Sequence, residues 1–401
     1  LHQKMETFLT SEQSERHAEF QEFAAAKVEP FAGEWDRAQE IPDSAIAQLA
    51  SAGYLGANIP AEHGGLGWDA VTFGLLNEAL GRSDSAFTGI VTVQSMVSAP
   101  LLKWGTAEQR KQWLPPLARG EKLGAIALTE PGGGSDLQSM STEFRRSERG
   151  DGLILSGEKK WITMGQKADV FLVFGKLDQK PVACLVPRNS DGFEIEPIKD
   201  LMGFRAAGLA RLQFNDVPVP AANVVGKPGF ALSHVAPIGL HYGRISTACS
   251  SCGLLRGCFE ETTAYAASRK VGNERVGDFG MIQSMIANMG TNLEAAKLLC
   301  WSACRAEDDH SSEAYTKVFI AKYFASRAAV QAASDAVQVR GASGCHESSP
   351  TARFYRGAKI MEIIEGTTQV HEFILGKSFL SDSLRPKRSE QRPAATASNA
   401  P

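Results

Sequence analysis

The chain has 401 residues, 43% of them hydrophobic, too many for one ordinary core and enough for two or three domains. Its 42 basic and 45 acidic residues leave a net charge of −3, with no basic stripe for nucleic acid and no acidic tail. No apolar run approaches the roughly 20 residues that span a bilayer.

The N-terminal "LHQKMETFLTSEQ" lacks a signal-peptide core, so a soluble cytoplasmic protein is the expectation. Leu1, with Met5 close behind, reads as a processed or an engineered start. Residues 1–122 read as a helical domain. "IPDSAIAQLASAGYLG" follows Pro42, with Asp43 or Ser44 as N-cap and a stop at Gly53. "DAVTFGLLNEALGRSD" is amphipathic and ends at Gly81. In "GTAEQRKQWLPPLARGE", Thr106 and Gln109 have capping-box spacing.

Over 123–232 the period shortens toward two. "KLGAIALTE", "LILSGEKKWITM", "ADVFLVFGKL", "PVACLVP", "FEIEPI" and "ARLQFNDVPVP" are β-prone runs cut by Gly, Pro, Asn and Asp. They predict a small sandwich or barrel. Over 233–380 three helical patterns return, each longer than usual for globular proteins, and a bundle is expected. The polar, Pro- and Ala-bearing stretch 381–401 is expected to be a disordered tail.

Seven cysteines argue against a disulfide framework. Cys249-x-x-Cys252 has no second ligand pair, and Cys300 and Cys304 share a helix face; all four read as buried helix residues. The eight histidines form no H-x-x-x-H pair, so no metal site is expected.

Three stretches carry chemistry. In "LTEPGGGSDLQSMST" consecutive glycines let a flat or anionic ligand approach backbone N–H groups, although no Walker or dinucleotide fingerprint is present. In "GEKKWITMG", Trp161 and Thr163 on one strand would face the same way, offering a π-face beside a hydroxyl; a core Trp beside a cross-strand Thr is the plainer reading. In "MEIIEGTTQVHEFILG", Glu365 stands between Ile363–Ile364 and a Gly-Thr-Thr turn, after a helix over about Thr351–Ile364. A carboxylate there is either a solvent-facing helix-end residue or one with work to do.

"ALTEPGGGSD", "GEKKWIT" and "AKIMEIIEGTTQV", in this order and with "PAEHGGLG", "GTAEQRKQWLPPLARGE" and "DVPVP", resemble the acyl-CoA dehydrogenase family over roughly residues 15–380. The resemblance implies an α+β fold with an N-terminal helical domain, a middle β-barrel and a C-terminal four-helix bundle. It implies FAD and a homotetramer or dimer. Leu128, Thr129, Gly134 and Ser135 would line the flavin, and Trp161 and Thr163 would cover its ring. Arg269, Gln338 and Gly341 would hold the adenine and pyrophosphate half of a neighbouring subunit's FAD. Thr367 and Gln369 would close over the cofactor.

By the same resemblance Glu365 is the catalytic base. It would take the α-proton of a thioester while the β-hydrogen leaves as hydride to the flavin. Its own N–H and a flavin ribityl hydroxyl would stabilise the enolate. Members that carry the base on a bundle helix place it just before an arginine. Here that arginine is Arg244 and Gly243 precedes it, so Arg244 becomes a candidate to orient Glu365 or an ordinary bundle ion pair.

There are departures. In "RKVGNERVGDFG" Gly272 and Asn273 replace the family's Phe and Gly, Gly280 stands where Gln is common, and Ala342 replaces a glycine of Q-x-x-G-G-x-G. Ala207 and Leu209 stand where CoA-using members often carry Ser and Thr. With "AAGLARLQF", "YGRIS" and "AKIMEIIEG", this looks closer to the branch acting on acyl groups tethered to acyl carrier proteins in polyketide and related secondary pathways. The alternatives are a CoA thioester dehydrogenase of fatty or amino acid catabolism, a flavin oxidase or monooxygenase, and a non-catalytic flavin- or carrier-binding relative. The expected partners are the acyl thioester and an electron acceptor such as an electron-transfer flavoprotein or oxygen.

Overall fold

The computed structural model describes residues 8–148, 150 and 152–384. Helices α1 (Ser11–Lys27), α2 (Ala32–Ala38), α3 (Asp43–Ser51), α4 (Ala70–Ser83), α5 (Ser85–Trp104) and α6 (Ala107–Ala118) come first. Strands β1 (Gly124–Ala127), β2 (Glu143–Arg146), β3 (Gly152–Ile162), β4 (Val170–Leu177), β5 (Lys180–Pro187), β6 (Phe193–Pro197) and β7 (Ala210–Pro220) follow. Then come α7 (Ala236–Ser268), the short hairpin β8 (Lys270–Val271) and β9 (Glu274–Arg275), α8 (Gly280–Asp308), α9 (Ala314–Arg340), α10 (Pro350–Met361) and α11 (Thr368–Leu384). This is the three-part order expected: helices, a curled sheet, and helices again.

Local chemistry sets most boundaries. Thr106 and Gln109 form the expected capping box on α6. Helix α3 differs: Pro42 is its N-cap and no side chain caps it, so Asp43 lies in the first turn and pairs with Lys167 instead. Helix α4 runs two residues past Gly81 to Ser83. That glycine is a contact point, since a Cβ on it would lie 2.4 Å from the Ser250 carbonyl oxygen. The expected tail from 381 begins as the last turn of α11, and 385–401 lie outside the described residues.

Helix α5 corrects one expectation. By length and composition it could cross a membrane, the one such helix among the described residues. Its polar residues are distributed so that none interrupts the apolar average. Here 94% of its apolar window is buried inside the protein, against α6, α7 and β1.

The sheet order is β1-β4-β2-β3-β7-β6, with β5 on the other edge of β4. Strand β4 pairs in parallel with β1 through Gly124↔Val170 and with β2 through Phe144↔Leu177, and antiparallel with β5 along its whole length. Phe144, Leu155, Phe171, Val173, Val182, Leu212 and Phe214 fill the sheet's core. Strand β2 escaped the sequence reading because only Phe144 of its four residues is buried. In the hairpin β8–β9, Gly272 takes φ +62°, so the Gly272-Asn273 departure makes a two-residue turn.

Helix α7 is central and touches α4, α5, α8, α9 and α10. It meets α4 backbone to backbone: a Cβ on Gly253 would sit 1.9 Å from the Glu78 carbonyl oxygen and 2.7 Å from the Arg82 nitrogen. Gly253→Ala must therefore push two buried helices apart. The expected cost is about 1–3 kcal/mol, as for other overpacked cores, read as a lower midpoint in chemical denaturation; unchanged stability would show that the crossing yields freely.

Candidate active site

A cavity of about 660 Å³ opens where the three parts meet. Its walls are Thr88, Gly89, Thr92, Val93 and Met96 from α5, Leu128, Thr129, Gly134, Ser135, Trp161, Ile162, Thr163 and Phe204 from the middle part, and Leu240, Arg244, Thr247, Ile363, Ile364, Glu365, Gly366 and Thr367 from the last. Of the residues singled out in the sequence, this one chain brings together Leu128, Thr129, Gly134, Ser135, Trp161, Thr163, Arg244, Glu365 and Thr367. Gln369 is exposed outside the lining. Arg269, Gln338 and Gly341 are exposed at the far end of the bundle, around the small Ala266, Val276 and Val339 cluster.

Glu365 sits in the turn between α10 and α11 with φ +55°, a left-handed conformation that side chains rarely adopt. Two buried cations hold the turn. Arg244 Nε on α7 donates to the Glu365 carbonyl at 3.1 Å, and its guanidinium lies 4.4 Å over the Phe319 ring. Lys322 Nζ on α9 donates to the carbonyls of Gly366 at 2.8 Å and Glu362 at 3.4 Å. Arg244 thus binds the backbone of Glu365 rather than its carboxylate. Beneath the turn lies fully buried His371, whose Nδ1 donates to the Thr367 carbonyl at 3.0 Å. Burial, with the Lys322 charge next, pulls that imidazole down to about 4, so the ring is neutral.

The carboxylate itself is left without support. Oε2 of Glu365 is sealed from solvent and accepts no hydrogen bond. Burial pushes its pKa up to about 7, against the opposing pull of Arg244 and Lys322. The Glu365 N–H donates to no acceptor among the described residues. The space for the carboxylate is made by Gly243, where a Cβ would lie 2.3 Å from Oε2 and 3.0 Å from Met96 Sδ.

The glycine-rich loop is pinned by a buried ion pair that sequence reading missed. Lys159 Nζ, fully buried on β3, meets Glu130 Oε1 at 2.7 Å and the Leu128 carbonyl at 3.0 Å. Glu130 also accepts from the Ser141 N–H and hydroxyl at 2.6 and 2.7 Å and from the Thr142 N–H at 3.0 Å. Although burial works against ionisation, these donors and Lys159 hold its carboxyl down at about 2. The hairpin-like bend beyond it leaves Gly132 and Gly133 with open space where a Cβ would be, and Gly134 against Thr129 Cγ2 at 3.1 Å. Exposed backbone there, with the Thr129, Ser135 and Thr163 side chains around it, fits a flat heteroaromatic ring with a phosphate-bearing tail.

The strand alternation expected for Trp161 and Thr163 does not hold. Strand β3 ends at Ile162, its register against β7 shifts between Lys159 and Ile162, and Trp161 takes φ +63°. This irregularity swings the Trp161 ring, 47% exposed with Lys160 Nζ 4.8 Å above it, onto the same cavity as Thr163 in the following turn.

A helical, curled-sheet and helical chain with a buried carboxylate facing a ring-sized cleft has the architecture of an enzyme that works on a substrate laid against a flat cofactor. Family models for the acyl-CoA dehydrogenase N-terminal, middle and C-terminal domains match residues 10–121, 125–217 and 233–380. The chain belongs to the acyl-CoA dehydrogenase family, FAD-dependent oxidoreductases acting on the CH–CH bond of acyl thioesters. It is 32% identical to the mitochondrial short-chain specific acyl-CoA dehydrogenase of Mus musculus over 366 residues, 90% of this chain and 88% of that one. Butyryl-CoA dehydrogenase from Megasphaera elsdenii superposes with a TM-score of 0.89 at 30% identity, covering 93% and 99% of the two chains. FkbI, for biosynthesis of the methoxymalonyl extender unit of the Fk520 polyketide, gives 0.82 at 32%, covering 91% and 99%. The prolyl acyl carrier protein oxidase AnaB gives 0.87 at 25%, covering 92% and 99%.

Gly243→Ala places a methyl group inside contact distance of the Glu365 carboxylate and must turn it away. Expected is a fall in turnover of about 10²-fold, the cost of a ~1 Å misplacement of a reacting group, with flavin retained; an unimpaired variant would show that the carboxylate has other room.

Proposed function

We propose that this chain oxidises the α,β carbon–carbon bond of an acyl thioester carried on an acyl carrier protein, with Glu365 as the base. The observation that supports it most is the unpartnered, sealed Oε2 of Glu365 on the wall of a cavity shared with Trp161, Thr163 and the glycine-rich loop. A carboxylate that accepts no hydrogen bond from its own protein is free to receive a proton. With a pKa near 7 it is far more basic than a solvated glutamate, and a bound acyl chain would remove still more water from it. The free Glu365 N–H is placed to donate to the thioester oxygen as negative charge grows there. FAD, when bound, supplies the hydride acceptor for the β-carbon. Leu128, Thr129, Gly134, Ser135, Trp161, Thr163 and Thr367 would hold its ring end, with Gln369 beside the closing turn. Arg269, Gln338 and Gly341, far from this cavity, would serve a neighbouring subunit's FAD in a homo-oligomer, a dimer or tetramer. Arg244 and Lys322 are positioning residues for the base.

Likeness to FkbI and AnaB supports the carrier reading and a place in polyketide or related metabolism. Likeness to short-chain acyl-CoA dehydrogenase and butyryl-CoA dehydrogenase supports a second reading, a CoA thioester. The Ala207 and Leu209 departures weigh little between the two: Ala207 is fully buried, Leu209 packs beside it, and neither lines the cavity. Electrons would leave to an electron-transfer flavoprotein or to oxygen.

Glu365→Gln is expected to take up FAD and lose turnover by about 10³-fold. In the wild type the base must be ionised, so kcat/KM should rise with pH and level off above about 7. A profile flat from weakly acid to alkaline pH would oppose Glu365 as base. Offering one acyl chain on CoA and on a carrier protein separates the two readings: a much higher kcat/KM on the carrier is expected, and efficient turnover of the CoA form alone would remove the carrier.

A further inference from the structure

The cavity is mostly apolar, and three threonines in its helical wall stand out. Thr88 and Thr92 of α5 and Thr247 of α7 all line it. Two of these hydroxyls are committed. Thr88 donates to the Ser85 carbonyl at 2.6 Å and meets Ser250 Oγ at 3.1 Å. Thr92 Oγ1 is within 2.8 Å of the Thr88 carbonyl and 2.5 Å of Ser246 Oγ, which donates in turn to Asn77 Oδ1 at 2.6 Å.

Thr247 differs. It is 2% exposed, yet its side chain forms no hydrogen bond among the described residues. Helical threonines usually bond back to a carbonyl in the preceding turn, as Thr262 and Thr263 do further along the same helix. Nor does the Thr247 hydroxyl belong with the polar atoms sealed inside the protein, which leaves the cavity as its open side. A hydroxyl that its own helix leaves unbonded and open to the cavity is available to bond a ligand there.

Its position relative to the base is fixed by the helix. Gly243, whose missing side chain makes room for the Glu365 carboxylate, is four residues earlier on the same face. Residues so spaced carry their Cβ atoms about 5–6 Å apart. On the dehydrogenase reading Glu365 acts at the α-carbon, and a hydroxyl one helical turn from the carboxylate is within reach of a substituent about two carbons further along the chain. Resting on the proposed dehydrogenase reading, we infer that Thr247 is a specificity-determining residue that selects acyl groups bearing a hydrogen-bonding oxygen on the γ-carbon over plain alkyl chains.

The test compares two acyl groups, hexanoyl and 4-methoxybutyryl, which differ by one CH2-to-oxygen exchange, each offered on CoA and on an acyl carrier protein. Offering both thioester forms covers either reading of the carrier, and anaerobic flavin bleaching by the holoenzyme is the readout. The wild type should favour the methoxy compound by about tenfold in the second-order rate of flavin reduction, the yield of one neutral hydrogen bond. In Thr247→Val that ratio should fall to about one, and Thr247→Ser, which restores a hydroxyl, should bring it back. Bleaching by both compounds with no wild-type preference, or a preference that survives in Thr247→Val, overturns the inference while leaving the dehydrogenase reading intact. Bleaching by neither compound overturns the dehydrogenase reading, and the inference with it.

Discussion

The site depends on a left-handed turn that buried positive charge holds in place. Glu365 at φ +55° costs on the order of 1–3 kcal/mol of backbone strain. The carbonyls of Glu362, Glu365 and Gly366 converge on Arg244 and Lys322, which reach the turn from two different bundle helices. Neither cation bonds to the carboxylate. The arrangement fixes the backbone of the base and leaves its side chain without a partner, which is the condition for accepting a proton. The same two charges limit how far burial can raise the carboxyl. With Arg244 and Lys322 nearby the balance falls at about 7, where base and proton-bound forms are both accessible. Burial in turn draws Lys322 down to about 8, so the pair of groups faces each other across a narrow range of proton affinity.

The opposite wall is built on a second buried charge. Lys159 and Glu130 tie β3 to the loop before the glycines, and the Lys160 N–H to Thr129 carbonyl bond of 2.9 Å adds a backbone link. Residues 131–136 beyond Glu130 are exposed, with open space at Gly132 and Gly133. A firm base and an open tip suit a segment that must receive a large ligand without losing its register. The three parts of the chain each give the cavity one wall, so the site exists only when all three are packed.

Much of this was legible in the residues. Capping spacing located α6, the change of period located most of the sheet, and the order of three motifs located the cavity. Glu365 was conspicuous because its neighbours are apolar. What escaped reading has physical reasons. Lys322 is one lysine in a long helix, and nothing local distinguishes a buried ammonium from a solvated one. Glu130 and Lys159 lie within quoted motifs but 29 residues apart, so their pairing belongs to the fold. Trp161 and Thr163 reach the same cavity through a bulge, and period-two reasoning cannot foresee a bulge. The cysteines were read correctly as buried: Cys249, Cys252, Cys300 and Cys304 are all inside, with Cys249 and Cys304 sulfurs 3.9 Å apart.

Helix α7 shows why a long helix can lack an apolar stripe. Arg244 turns toward α9 and the Glu365 turn. Gly243 faces the Glu365 carboxylate, Thr247 lines the cavity, Ser246 and Ser250 meet Thr92 and Thr88 of α5, Cys249 meets Cys304 of α8, and Gly253 touches α4. Each face has a different neighbour at close range, so each position takes a small residue matched to that neighbour. A bulkier, more regular helix would pack better against any one partner and would close the space in which the carboxylate stands. The polar small residues of α7 are thus the cost of surrounding one helix with the rest of the protein while keeping a reactive group beside it.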